Sequence, residues 1–484
     1  MEAAVRDDAA NRLMRWLPQA PEHDALLARY GEAYKWLALA VVGTGIIASV
    51  LATTSFNVAV PALGLHFGLG QHQVQWAITG FLAALTLAML PTPWLLERVG
   101  FRRLFLGANL MLALASVAGA LGSDFGFVVA MRVLQGIAAG LLQPLTIMVV
   151  MRHFPAASQG RAHGLLGFGI VLAPAAAPSL AGVLLERFGW QAIFLMTLPF
   201  CIVAGVCGLY LLARSETNQR HPFDWLGVGI LCAASLAAID FITSLRQAGL
   251  MAPRTLTMLV LVALCVLAFV RHARRAPAPI VSLSLFAERS FAMGAVVGLI
   301  YGCGLYASTY LIPVFLQQAL GYDAALSGLA LLPGGLLLAA VIPIAGWLTD
   351  RYSPRPVMVW GLAVFGVSFV PFAVLGASIS YTGVVAVCMV GRLGLGLTIP
   401  ALTVASLKGV LPHQAGQASM VSNYTRQFGG VLGVAIAAVF VEWRIAIYGA
   451  QPPGIHWAYS QAFVLLTLVF GLALVAALRM KRRG

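Results

Sequence analysis

Charge is what this chain has least of. Only 10% of its 484 residues are Asp, Glu, Lys or Arg, against 60% hydrophobic, and its mean hydropathy is +0.90. A water-soluble surface needs roughly a quarter or more charged side chains, so the composition excludes a soluble domain. From Trp36 to Leu96 there is no Asp, Glu, Lys or Arg at all. That run far exceeds the ~20 residues of one bilayer crossing and must fold back as two spans. Its continuous apolar character, without alternation, excludes barrel strands. The six cysteines (Cys201, Cys207, Cys232, Cys265, Cys303, Cys388) fall inside apolar runs, without the spacing of a disulfide framework or a metal site. Also missing are His-Glu-x-x-His, Gly-x-Ser-x-Gly and a Walker loop, so neither an enzyme nor an ATPase is expected, and no cofactor. Residues 1–35 lack the basic start, short apolar core and cleavage site of a signal peptide, and the first span is expected to stay uncleaved. Leu13, Met14, Trp16 and Leu17, then Leu26, Leu27 and Tyr30, would give short interfacial helices or belong to a floppy tail.

What is present is a series of apolar segments. Spans are expected near 36–60, 74–95, 104–122, 126–150, 163–185 and 191–213, a central pair near 225–244 and 255–271, and six more near 291–315, 325–347, 357–377, 381–404, 428–446 and 459–479. This divides the chain into an N-terminal segment (1–35), a six-helix half (36–213), a two-helix insertion with linkers (214–290), a second six-helix half (291–479) and a tail (480–484). An even number of spans puts both termini on one side. Of the 30 basic residues, the opposite loops hold only Arg187, Arg246, Arg254 and Arg444, and the spans hold Arg132 and Arg392. The richer side is cytoplasmic by the positive-inside rule, which places the protein in the inner membrane with cytoplasmic termini. The net charge of +14 is therefore a topology signal that needs no nucleic-acid partner, and the basic loops should favour anionic lipid.

One loop pattern occurs twice. Leu95-Leu96-Glu97-Arg98-Val99-Gly100-Phe101-Arg102-Arg103 is answered by Gly346-Trp347-Leu348-Thr349-Asp350-Arg351. Arg132 in Arg132-Val133-Leu134-Gln135-Gly136 is answered by Arg392 in Arg392-Leu393-Gly394-Leu395-Gly396. Both pairs lie roughly 255 residues apart, as a duplicated helical unit carrying an insertion would place them. Duplicated helical units of this kind belong chiefly to transporters.

With Leu51-Ala52-Thr53-Thr54-Ser55-Phe56-Asn57-Val58-Ala59-Val60-Pro61 in the first span, the Pro-rich Ala173-Pro174-Ala175-Ala176-Ala177-Pro178-Ser179-Leu180-Ala181-Gly182 in the fifth, Pro279-Ile280-Val281-Ser282-Leu283-Ser284-Leu285-Phe286 before the ninth and Ser422-Asn423-Tyr424-Thr425-Arg426-Gln427 before the thirteenth, the chain resembles the major facilitator superfamily. Within it, the fourteen-span plan resembles the drug:proton antiporter branch of EmrB and QacA type. The resemblance implies an all-α membrane fold of two pseudo-symmetric six-helix halves plus two inserted central helices. It implies export of amphiphilic drugs by proton antiport through alternating access, giving antibiotic resistance, in partnership with a periplasmic adapter and an outer-membrane channel. The loop from Arg444 to Trp457 is shorter than that last partnership would suggest.

Candidate site residues follow. Glu97, Arg98, Gly100, Arg102, Arg103, Asp350 and Arg351 would latch neighbouring helix ends through charge-assisted hydrogen bonds; the second copy, with Ser353-Pro354-Arg355-Pro356 in place of the trailing Gly-Arg-Arg, reads as the weaker latch. Arg132, with Gln135 one turn on, should face a cavity or a partner, since an unpaired guanidinium in lipid costs at least ~2.5 kcal/mol. Pro174, Pro178 and Gly182 fall on one helix face and should kink the fifth span, which the resemblance makes the antiporter-type helix; the family's Gly-Pro and Gly-Gly pairs have become Ala177-Pro178 and Ala181-Gly182. Ala52 stands where the antiporter pattern has Asp. Asp240 is the remaining acid inside a span and a candidate proton carrier, or else a residue near the outer interface. Thr53, Asn57, Tyr306, Tyr310, Asn423, Tyr424, Gln427 and Arg392 would line the substrate cavity, with Tyr301 and Tyr424 readable also as interfacial anchors. So few cavity acids suit neutral, weakly basic or anionic amphiphiles better than dications. The rivals are a facilitator or metabolite exporter without proton coupling, for which Ala52 speaks, and outside transport a channel or a membrane scaffold.

Overall fold

The computed structural model describes residues 22–69, 71–74, 76–214, 222–249, 251–449 and 451–480. The expected interfacial residues Leu13, Met14, Trp16 and Leu17 lie outside the described residues, as do the side chains of Asn57, Pro174 and Pro178. The helices in chain order are α1 (Tyr34–Thr54), α2 (Trp76–Ala88, continued beyond a 58° bend by Thr92–Val99), α3 (Phe101–Ala120), α4 (Phe125–His153), α5 (Gln159–Phe188), α6 (Leu198–Leu211), α7 (Trp225–Ala248), α8 (Pro253–Ala273), α9 (Arg289–Gln318), α10 (Ala324–Tyr352), α11 (Pro354–Val367), α12 (Tyr381–Leu407), α13 (Ala415–Tyr448) and α14 (Gly454–Leu478). Among the described residues twelve helices are long and apolar enough to cross a membrane, thirteen with the bent pair of α2.

Local sequence sets the boundaries. Asp124, Asp224, Asp323 and Ser380 each accept a hydrogen bond from a first-turn amide of α4, α7, α10 and α12, at 3.1, 2.8, 2.6 and 3.1 Å. These side chains satisfy amides that have no partner within the helix. The expected boundary of the thirteenth span is corrected: the helix begins at Ala415 rather than near 428. Asn423, Tyr424, Arg426 and Gln427 read as a polar loop, yet Tyr424 and Gln427 find partners on neighbouring helices while Asn423 and Arg426 bond along their own helix, and the backbone stays helical.

Packing repeats itself. α1 packs on α4 and α6, α2 on α4, and α3 on α4 and α6; α9 likewise packs on α12 and α14, α10 on α12, and α11 on α12 and α14. Each half buries its own hydrophobic core, one running through Phe81, Phe105 and Leu142, the other through Phe315, Leu395 and Phe463. Gly136 and Gly140 of α4 lie against the carbonyls of Phe81 and Leu85 on α2, leaving no room for a Cβ. The inserted α7–α8 hairpin packs beside α13, outside the two halves.

The halves meet mainly where α5 crosses α10 and where α13 touches α4. Their contacts cluster at the end that carries the basic loops. There Gly160 and Gly164 of α5 meet Gly346 and Ile342 of α10, the Ser419 hydroxyl donates to the Pro144 carbonyl, and Gly416 sits over Pro93 and Leu96.

Candidate functional site

The repeated loops form two matching helix-end clasps at this basic end. Arg102, at the second position of α3, donates to the carbonyl of Leu209 near the end of α6 (2.7 Å). Arg355, at the second position of α11, donates to Leu478 at the end of α14. The Arg98 guanidinium lies over Trp94 and that of Arg351 over Trp347, both at 5.1 Å. Gly100 has φ 84° and Ser353 φ 104°, so the serine occupies a conformation that suits glycine. The second copy thus keeps the trailing arginine, as Arg355. One residue-by-residue comparison at the Glu97-to-Asp350 offset would have found Trp94, Ser353 and Arg355.

Asp350 reaches across the halves. Its carboxylate accepts the amides of Gly160 (2.7 Å) and Arg161 (2.8 Å), capping α5 from α10, with Arg161 Nε at 3.8 Å. The side chain is only 4% exposed. A carboxylate at a helix N-terminus takes up amides that would otherwise lack partners and meets the positive end of the macrodipole. Glu97 is also engaged in an interaction.

Arg132 lies inside the first half at 1% exposure. Its Nε donates to Ala77 (3.3 Å), and one terminal nitrogen donates to the Ala52 carbonyl (3.0 Å) and to Gln135 Oε1 (2.8 Å). Phe56 and Phe81 lie over the guanidinium at 4.2 and 4.1 Å. Gln135 passes the chain on to Ser116 (2.8 Å), and Ser116 to Thr197 (2.9 Å). Arg132 was expected to face a cavity or a partner, and its partners are backbone carbonyls, Gln135 and ring faces, one of the carbonyls belonging to Ala52. Arg132 Nη2 has no hydrogen-bond partner among the described residues.

The second half presents the more accessible polar groups. Tyr306 is closely surrounded by protein yet 39% exposed, as a side chain lining an internal cleft would be, and its hydroxyl donates to Gln427 (3.2 Å). Tyr310, one turn on, is 37% exposed. Arg392 of α12 donates to Thr309 (3.1 Å). Arg426 donates to Asn423 (2.7 Å), which donates to the Ser419 carbonyl (3.0 Å). Arg426 lies in the same run as the candidates Asn423, Tyr424 and Gln427 and was not among the candidate residues read from the sequence. Thr53 donates to Ser49 within α1 (2.9 Å). Tyr424 turns the other way, bonded to Ser235 of α7 and stacked on Phe428. Tyr301, readable as an interfacial anchor, is fully buried, its hydroxyl 3.5 Å from the Leu395 carbonyl.

Asp240 forms a two-pronged ion pair with Arg254 of α8 (2.7 and 3.4 Å), within the inserted hairpin. α5 runs unbroken from Gln159 to Phe188 through both prolines, and Gly182 faces open space. Arg103 lies beside Arg102 at the start of α3. No group of three or more His, Cys, Asp or Glu side chains able to hold a metal occurs among the described residues.

Residues 42–434 match the family model for the Major Facilitator Superfamily. The chain belongs to that superfamily. It is 28% identical over 415 residues to the multidrug export protein EmrB of Escherichia coli strain K12, covering 83% of this chain and 79% of EmrB. It is 28% identical over 421 residues to the fatty acid resistance protein FarB of Neisseria gonorrhoeae, covering 86% and 83%. The solved structure of the proton:xylose symporter XylE, bound to 6-bromo-6-deoxy-D-glucose, shares the fold with a TM-score of 0.63 at 14% identity, covering 91% of this chain and 95% of that one. This facilitator is thus a multi-pass membrane transporter, and not an enzyme.

Proposed function

We propose that this facilitator exports amphiphilic small molecules from the cytoplasm across the inner membrane, with fourteen spans, cytoplasmic termini and the proton gradient as its energy source. The cap that Asp350 places on α5 carries this reading. It joins the two halves through groups that separate cleanly, as a gate in an alternating-access cycle must. The concentration of Lys and Arg in the loops at that end supports a cytoplasmic gate. With that end closed and Tyr306 and Tyr310 accessible, the conformation corresponds to the outward-facing state.

The cleft groups named above are aromatic, amide and guanidinium, which suits neutral or anionic amphiphiles with a ring or chain to lay on Tyr306. The relatives named a multidrug export protein and a fatty acid resistance protein support this reading, a fatty acid being an anionic amphiphile. The resemblance to EmrB-type exporters adds a periplasmic adapter and an outer-membrane channel to this proposal as further partners, against which the short Arg444–Trp457 loop speaks.

Transport of fluorescent amphiphiles into proteoliposomes under an imposed pH gradient tests it. Gradient-dependent uptake that falls in Arg132→Ala is expected. Uptake that ignores the gradient would overturn the coupling and leave an uncoupled facilitator, the reading favoured by the uncharged acceptor at Ala52.

A further inference from the structure

α5 carries a buried histidine inside the seam between the halves. His163 is 7% exposed, and its Nε2 has no hydrogen-bond partner among the described residues. It lies between Gly160 and Gly164, which seat α5 against Gly346 and Ile342, and it points roughly 60° round the helix from Gly160. Arg426 of α13 is within electrostatic reach of it. The Arg426 guanidinium turns back along its own helix toward Asn423 and so toward the Ser419 contact that closes the basic end.

The other charged groups on elements packed against α5 at this level are engaged elsewhere. Asp350 of α10 holds the Gly160 and Arg161 amides, and Arg161 lies beside it. Arg392 of α12 donates to Thr309. On α4, Arg132 is enclosed by Phe56 and Phe81, Arg152 has an interaction of its own, and His153 packs on Tyr34. On α1, Lys35 pairs with Glu32. Arg426, itself hydrogen-bonded to Asn423, is the charge that acts on His163.

We infer that His163 carries the coupled proton and that its protonation opens the basic-end gate by repulsion from Arg426. The inference rests on the antiporter reading for its direction. With hydrogen on Nδ1, the neutral ring keeps a lone pair on Nε2. Water that reaches the ring supplies a proton to that lone pair and becomes hydroxide, or hydronium supplies it and becomes water. The imidazolium then stands within electrostatic reach of the Arg426 guanidinium in a buried seam, where like charges repel strongly. Separation of α5 from α10 and of α13 from α4 relieves the repulsion and exposes the ring to the cytoplasmic side, where Nε2 returns the proton to water. The neutral ring lets the seam close again. Histidine suits this cycle because its charge changes near neutral pH.

The test is hydrogen–deuterium exchange of peptides spanning 155–168 and 415–427 in lipid nanodiscs, corrected for the intrinsic pH dependence of exchange. Between about pH 8 and about pH 5.5, exchange of both peptides in the wild type should rise by at least about fivefold as the gate opens. His163→Leu and His163→Gln should stay protected at both pH values; the glutamine variant keeps a polar side chain that takes up no proton. Arg426→Gln should remove the rise while leaving His163 in place. A histidine variant that keeps the wild-type rise, or a wild type that shows none, overturns the inference. The readout is gate opening, so it stands apart from whether a chosen amphiphile is exported.

Discussion

Ser353 shows how one residue can carry stored strain in a duplicated loop. Its φ of 104° matches the 84° of Gly100 at the equivalent place, but serine has a Cβ that resists this conformation. Ser353→Gly should therefore raise stability by about 1 kcal/mol, and Gly100→Ser should lower it by a similar amount. Thermal unfolding in detergent, followed by intrinsic fluorescence, checks both signs. Arg132 makes a second prediction at this scale. Its planar fork spans Ala77, Ala52 and Gln135 while its faces meet two phenyl rings. A lysine ammonium cannot reproduce that geometry. Arg132→Lys should cut vesicle transport by at least about tenfold while the protein still purifies as a single species. The presence of an intramembrane arginine was legible in the sequence; its acceptors were not, because backbone carbonyls leave no mark in a side-chain pattern.

At the scale of elements, the α5–α10 crossing is the hinge of the argument. Asp350→Asn keeps the shape of the cap but removes its charge, so the closed seam should weaken by about 1 kcal/mol. Spin labels on the basic ends of α5 and α10 should then show a larger share of long distances than in the parent protein. The repeated loops announced this region, since Glu97 and Asp350 share a register that composition alone would not produce. What the sequence hid was which helix Asp350 would cap, because that depends on the crossing of two helices far apart in the chain. α13 was hidden for a different reason. Its first turns are rich in amide and hydroxyl side chains that read as loop, although Asn423 and Arg426 satisfy each other along one helix face.

For the whole molecule, the five packing relations shared by the two halves mean that each half moves as a body, and the cycle is confined to the seam between them. The inserted hairpin lies beside α13 and holds its own ion pair. Asp240→Asn should accordingly leave transport within about twofold of wild type, because the Asp240–Arg254 pair is partly exposed, at 33% and 63% of the side-chain surfaces. Initial rates in the proteoliposome assay decide this. A loss of coupling in that variant would return Asp240 to the role of proton carrier. The overall architecture was readable from apolar run lengths and the duplicated motifs, since bilayer thickness leaves a chain few alternatives. The assignment of polar residues to cleft or interior was not, because Tyr306 and Tyr424 look alike in sequence and face opposite directions.

The carbonyl of Ala52 has one last consequence. A carboxylate at that position would gain and lose its grip on Arg132 as it titrated, whereas a peptide oxygen exchanges no proton in the physiological range. The buried network from Arg132 through Gln135 to Ser116 and Thr197 is therefore blind to acidity. That network behaves as a brace of constant strength, and whatever makes this transporter respond to pH must come from groups that lie outside the network, as His163 of α5 does.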